Sequence, residues 1–236
     1  MMEKLNESNG FLSRFIIFTK ILNLFLQIIE SMIRNISGRV GIVLRRKYYS
    51  KRFAKCGANL QIDEGVIIQG AKDMFFGDNV WIDKYCILMA GKVSIPSEQV
   101  KVKQNKNYIY NEGELHIGSN VHIAPQCIIQ AHGGVSIESY FTASAGSKIY
   151  SLSNDTQECK YGTHSNGDIK FINSPISIDE NVWLGLNSIV LSGYIEKNSF
   201  IAPNSVVMTT IKENSFASGN PAKKIKNRFA NYGESN

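Results

Sequence analysis

Four histidines and a scatter of carboxylates are the groups in this chain able to move a proton. His132 is followed by Gly133 and Gly134, which permit a tight bend and a close approach of backbone to ligand, with an N–H available to a developing oxyanion. An imidazole held beside a carboxylate is what deprotonation of an alcohol requires, because the acid orients the ring and favours the imidazolium formed. The cysteines offer no such constellation. Cys56, Cys86, Cys127 and Cys159 lie far apart with no CxxC pair, which argues against a zinc ribbon or a dithiol centre and fits a reduced, cytoplasmic protein.

The elements that must position these groups follow from an internal repeat. From about Ile62 an aliphatic residue recurs every six positions. The step joins Ile62 to Ile68, Phe76 to Ile82 to Leu88, Ile117 to Ile123 to Ile129, Ile137 to Ala143 to Ile149, Ile178 to Leu184 to Val190, and Ile195 to Ile201 to Val207. Four positions after many of these stands a slim residue: Val66, Cys86, Cys127, Ser147, Ser188 or Ser205. A chain that turns inward every six residues describes a triangular prism of short parallel strands, three per coil.

Written three steps per coil, every irregular step is the one from second to third position. The excursions therefore leave at a single corner, and loops extruded from a regular scaffold are where function concentrates. That corner stacks Gln69–Asp73, Met89–Gly91, Gln130–Gly134, Tyr150–Asp155 and Leu191–Gly193 at roughly 4.8 Å per coil. It sets His132 beside Asn154 and Asp155, the expected orienting groups. His116 and His122 each precede an inward isoleucine on different faces, so they do not share a metal, and no metal site is expected.

The stretch SPISIDENVWLGLNSIVLSG from Ser174, followed by NSFIAPNSVVM and ASGNPAKKIKNR, resembles the C-terminal signature of the hexapeptide-repeat acyltransferases. The resemblance implies a left-handed parallel β-helix over residues 56–228, with loops at 91–113 and 151–175, a short helical C-terminal tail and residues 229–236 beyond it. It further implies acetyl-CoA as acyl donor, a sugar or lipid-linked saccharide as acceptor, and a homotrimer with the donor between subunits. Leu186, Pro203, Thr209, Lys223 and Lys226 are then the expected donor contacts, and Trp183 a motif tryptophan. In sugar acetyltransferases of this kind the catalytic histidine falls in the register of Asn154 or Asp155, where this sequence has none. Three readings remain: His132 serves as base, His164 folds back from its loop to do so, or a carboxylate base or a silent site takes that place. The expected activity is O-acetylation of a sugar in bacterial surface polysaccharide assembly. The alternatives are N-acetylation of an amino-sugar nucleotide and a non-catalytic β-helix scaffold.

Residues 1–55 have a different character. Phe11, Phe15, Phe18, Leu22, Phe25, Leu26, Ile29 and Ile33 recur at helical spacing, but the longest uncharged run is too short for a bilayer, which needs about 20 residues. Between Arg34 and Lys55 lie eight basic residues and no acidic one, which exceeds the whole chain's net charge of +6. The body is therefore not a nucleic-acid surface. The amphipathic segment is expected either to pack on its own protein or an oligomer partner, or to lie on anionic lipid at the cytoplasmic face of the membrane.

Overall fold

The computed structural model describes residues 19–21, 24–158 and 169–229. The repeat folds as the spacing predicts, into a left-handed prism with three parallel faces. The first face stacks Lys55–Cys56, Met74–Phe76, Leu115–Ile117, Val135–Ile137, Ile176–Ile178 and Gly193–Ile195. The second runs from Gln61–Ile62 through Val80–Ile82, Val121–Ile123, Thr142–Ala143 and Trp183–Leu184 to Phe200–Ile201. The third stacks Ile67–Gln69, Ile87–Met89, Ile128–Gln130, Lys148–Tyr150, Ile189–Val190 and Val206–Val207.

Register ties each inward aliphatic to its equivalents. Ile68, Leu88, Ile129, Ile149, Val190 and Val207 pair in sequence up the third face. All are buried, as are their counterparts on the other faces, and each such side chain removed from water is worth about 1.5–3 kcal/mol before chain entropy is charged against it.

Two corners are closed by residues in the left-handed region. Between the first and second faces these are Asn59, Asn79, Asn120, Tyr140, Asn181, Asn198 and Asn214, all with φ between 54° and 60°. Asparagine tolerates this conformation and adds a ladder of its own. Asn59 donates to Asn79 and Asn79 to Asn120, each at 3.0 Å, while Asn181 donates to Asn198 and Asn198 to Asn214. At the second corner the slim column is buried inside the bend, where the Cys86 and Cys127 thiols reach the carbonyls of Ala124 and Ser144. The three described cysteines are free.

Both ends of the prism are covered. Helical residues 24–35 and the helix Gly38–Tyr49 lie at the first coil. Arg45, fully buried, fastens them: its Nε donates to the Ile62 carbonyl at 2.8 Å, and its Nη1 to the carbonyls of Ile33, Arg34 and Ile36 at 3.0, 3.3 and 2.7 Å. One guanidinium thus satisfies the open end of the first helix and anchors it to the prism. Tyr49 and Phe53 carry the contact inward to Phe76. Phe11, Phe15, Phe18 and Leu22 lie outside the described residues. At the other end the expected helical tail is replaced by an antiparallel hairpin, Ser215–Gly219 with Ala222–Asn227. Alternating burial along Ser215, Phe216 and Ala217 continues the second face, and strand pairing there takes the place of the helical tail that the resemblance implied. Among the described residues no helix is long and apolar enough to cross a membrane.

Candidate active site

The third corner, from the third face back to the first, is where every excursion leaves and returns. The two long ones build a sheet of their own: Phe171–Asn173 pairs parallel with Val100–Val102 and antiparallel with Leu152–Asn154. Beneath it lies a cavity of about 160 Å³. Val93, Ile95, Val100, Val102 and Leu152 give it aliphatic walls, and Lys92, Glu112, Ser97 and His132 its polar groups.

His132 is the histidine this cavity receives. Its Nδ1 lies 2.8 Å from the carbonyl oxygen of Gly91. A carbonyl only accepts, so Nδ1 carries a proton, and in the neutral ring the lone pair lies on Nε2. Gly91 in turn donates to Gly113 at 2.7 Å, closing the base of the first loop; φ is +95° at Gly91 and +87° at Gly113, values that favour glycine. Glu112 completes the floor. It pairs with Lys92 at 2.6 Å and accepts a hydrogen bond from the Asn173 amide. Asn173 is buried and its Oδ1 has no donor among the described residues; a Cβ on Gly133 would fall 2.3 Å from that oxygen.

The other expected site residues are placed differently. Asn154 is exposed and sits in the small sheet opposite Phe171. Asp155 is buried, but its carboxylate accepts the N–H groups of Gln157 and Glu158 in its own turn. The orienting acceptor on His132 is thus a backbone carbonyl rather than either of these side chains. The N–H groups expected to serve an oxyanion are also engaged, Gly133 with the Ser151 hydroxyl at 2.9 Å and Gly134 with the Ala131 carbonyl at 2.9 Å. His164 lies outside the described residues. His116 and His122 stand on separate faces: the first is stacked between Phe75 and Tyr110 and bound to Glu114, the second lies on Trp81 and is bound to Asp83. No group of residues able to hold a metal occurs among the described residues.

The expected donor contacts fall at three places. Thr209 lines a groove of about 550 Å³ on the same corner as His132, near the C-terminal end of the prism, with Lys103, Lys106, Tyr194 and Met208. Asn105 holds the loop across this groove by donating to the carbonyls of Pro175 and Gly193. Leu186 and Pro203 stack at the second corner, where Gly185 leaves room for the Pro203 ring. Lys223 and Lys226 belong to the terminal hairpin, and the Lys226 ammonium lies 5.4 Å from the centre of the Phe216 ring. Trp183 is half exposed on the second face and donates to the Ser144 hydroxyl.

Lys92, Glu112 and Asn173 are the site residues that sequence reasoning missed, and Gly91, placed at the corner, was not seen as the partner of His132. Their only signal was position, at the ends of the two excursions, because their partners lie up to 61 residues away.

No protein-family model matches the chain. A dTDP-4-amino-4,6-dideoxy-D-glucose acyltransferase from Escherichia coli is 28% identical over 180 residues, which are 75% of this chain and 83% of that protein. Among solved structures the chain is similar to a variant of AntD, an N-acyltransferase from Bacillus cereus in complex with dTDP and coenzyme A. The identity is 21%, the match covers 78% of this chain and 88% of that one, and the TM-score is 0.63. A maltose O-acetyltransferase from Clostridium difficile 630 matches at 17% identity over 86% and 84% of the two chains, with a TM-score of 0.53. The likeness to these two structures is one of fold. In its repeat, its prism and its relatives the chain is similar to acyltransferases of the hexapeptide-repeat kind.

Proposed function

We propose that this chain transfers an acyl group, acetyl in the simplest case, from a coenzyme A thioester to a nucleotide-linked sugar, with His132 as general base. The observation that carries this reading is the Nδ1–H bond to Gly91, which leaves a basic Nε2 at a cavity on the loop corner. Nε2 takes the proton of the attacking amine or hydroxyl as its lone pair adds to the thioester carbonyl. Collapse of the tetrahedral intermediate breaks the C–S bond, and the proton passes from the imidazolium to the departing thiolate. With Gly133 and Gly134 N–H engaged, charge on the oxyanion falls to the Lys92 ammonium, fixed at the cavity by Glu112.

For the acceptor we favour an amino group on a deoxy sugar. The E. coli relative supports it, and aliphatic walls suit a sugar carbon that carries a methyl rather than a hydroxyl. A sugar hydroxyl is the second reading, favoured by the preset base, because an alcohol cannot attack without losing its proton to one. The donor's phosphates are assigned to the groove of Thr209, Lys103 and Lys106, three coils or about 14 Å along the corner from His132, within reach of a pantetheine arm. Leu186, Pro203, Lys223 and Lys226 then serve the donor bound to a neighbouring copy in a homotrimer. A cytoplasmic enzyme of surface polysaccharide assembly is the setting this chemistry fits.

The test is coenzyme A release from acetyl-CoA with paired acceptors, a dTDP-linked 4-amino-4,6-dideoxy sugar and its 4-hydroxy counterpart. Turnover of the amine alone supports the favoured acceptor, and turnover of the hydroxyl alone selects the second reading. No release with either, together with no retention on coenzyme A resin, would identify a scaffold.

A further inference from the structure

The N-terminal cap has apolar residues on two sides, and the prism uses only one. On the first helix Leu24, Ile28 and Met32, with Phe25 beside them, recur at helical spacing, and these and Ile21 just before are each half or more exposed. Val40, Val43 and Leu44 are likewise exposed on the second helix. These eight make up a large share of the twenty exposed large hydrophobic residues among the described ones, concentrated within residues 21–44. Solitary exposed apolar residues need no explanation, whereas a contiguous surface of them does.

Beside the stripe the helices enclose a groove of about 470 Å³, walled by Ile33 and Leu44 and rimmed by Lys47, Tyr48, Lys51 and Arg52. The Arg52 guanidinium is held over the Tyr48 ring at 4.1 Å. Lys47, Lys51 and Arg52 form no ion pair among the described residues, and the nearby carboxylate of Glu30 is turned to Tyr48, Tyr49 and Arg34. Arg45 and Tyr49 fix the helices to the first coil, so this surface is presented ready-made.

We propose that the outer side of the cap docks on an anionic phospholipid leaflet, with the apolar stripe at the headgroup and acyl boundary and a lipid phosphate in the Lys47–Lys51–Arg52 groove. Charge selects lipid over a second copy of the chain: two such faces would bring like cations together, whereas each cation near an anionic surface contributes about 1 kcal/mol, or roughly fivefold in partitioning. The inference does not rest on the acyl-transfer reading and is tested without an activity.

The experiment is flotation of the full chain with phosphatidylglycerol–phosphatidylcholine vesicles and with pure phosphatidylcholine. The protein should float with the first, far less with the second, and come off as salt is raised. Lys47→Gln with Lys51→Gln should weaken partitioning about thirtyfold, and Phe25→Ser with Met32→Ser should abolish it, both with unchanged melting because these side chains are exposed. Wild-type protein that stays unbound overturns the proposal. Loss of the oligomer by light scattering in the Phe25→Ser, Met32→Ser pair overturns it in favour of a second copy. Full displacement from vesicles by millimolar inorganic phosphate overturns it in favour of a soluble anion site.

Discussion

The imidazole of His132 and the carbonyl of Gly91 lie 2.8 Å apart across 41 residues of sequence, so the root of the first loop decides which nitrogen of His132 is basic. Gly91 holds φ at +95°, and a Cβ there would meet the Asp73 carboxylate at 3.0 Å. Gly91→Ala should cost roughly 1–2 kcal/mol in stability. It should also lower kcat about tenfold, with a smaller change in KM for the donor. A variant that melts earlier yet keeps its kcat would show that this bond positions nothing.

The asparagine ladder makes a second, structural prediction. Asn79→Ala loses a bond to each neighbour and places a Cβ-bearing residue without a compensating side-chain amide at φ 56°, whereas Asn79→Gly loses only the bonds. The alanine variant should lose about 1–3 kcal/mol and the glycine variant about 1 kcal/mol less. Urea midpoints measure both, and equal losses would remove the backbone term from the argument.

At the other end of the prism, Arg45→Met takes the guanidinium from four carbonyl groups, of which Arg34 keeps the Gly65 N–H. A loss of about 2–4 kcal/mol is expected. Amide exchange should accelerate in residues 24–36 and at Gly65, whose N–H donates to Arg34, while residues 115–150 stay protected. Unchanged exchange in the cap would mean that its packing rather than this guanidinium holds it.

Most of this scaffold was legible because a six-residue inward period has one geometric solution. Ile62, Ile68 and Phe76 announce three faces, and the faces of Ile129 and Ile178 follow from counting. The corner of the site was legible for the same reason, since only second-to-third steps vary. The partner of His132 was not, because a backbone carbonyl has no residue signature and Gly91 reaches the ring through a loop. Asp155 looked right by register, but the chain after Tyr150 leaves the prism for a strand opposite Phe171 and carries the carboxylate into its own turn. The tail was expected to be helical from the resemblance alone, while the exposed edge of the second face offered a strand to pair with.

One surface pair sets a pH dependence. The Lys212 ammonium, 2.8 Å from the Glu196 carboxylate, holds that carboxyl below its ordinary value, aided by the Glu213 N–H. A depressed folded pKa gives stability that is complete above the unfolded value of about 4.3 and is lost as pH falls through the folded one. The contribution is small because Lys212 is largely exposed. Melting curves of wild type and Glu196→Gln should differ slightly at neutral pH and converge in acid, and a gap that widens in acid would reverse the sign assigned here.

The central claim is that His132 takes the acceptor's proton, and the most direct measurement is steady-state release of coenzyme A by His132→Ala with a saturating acceptor. The account predicts a fall in kcat of about 10²–10⁴-fold with circular dichroism and melting unchanged, the range expected for loss of a general base, while His164→Ala retains activity. Full activity in His132→Ala, or loss confined to His164→Ala, would contradict it.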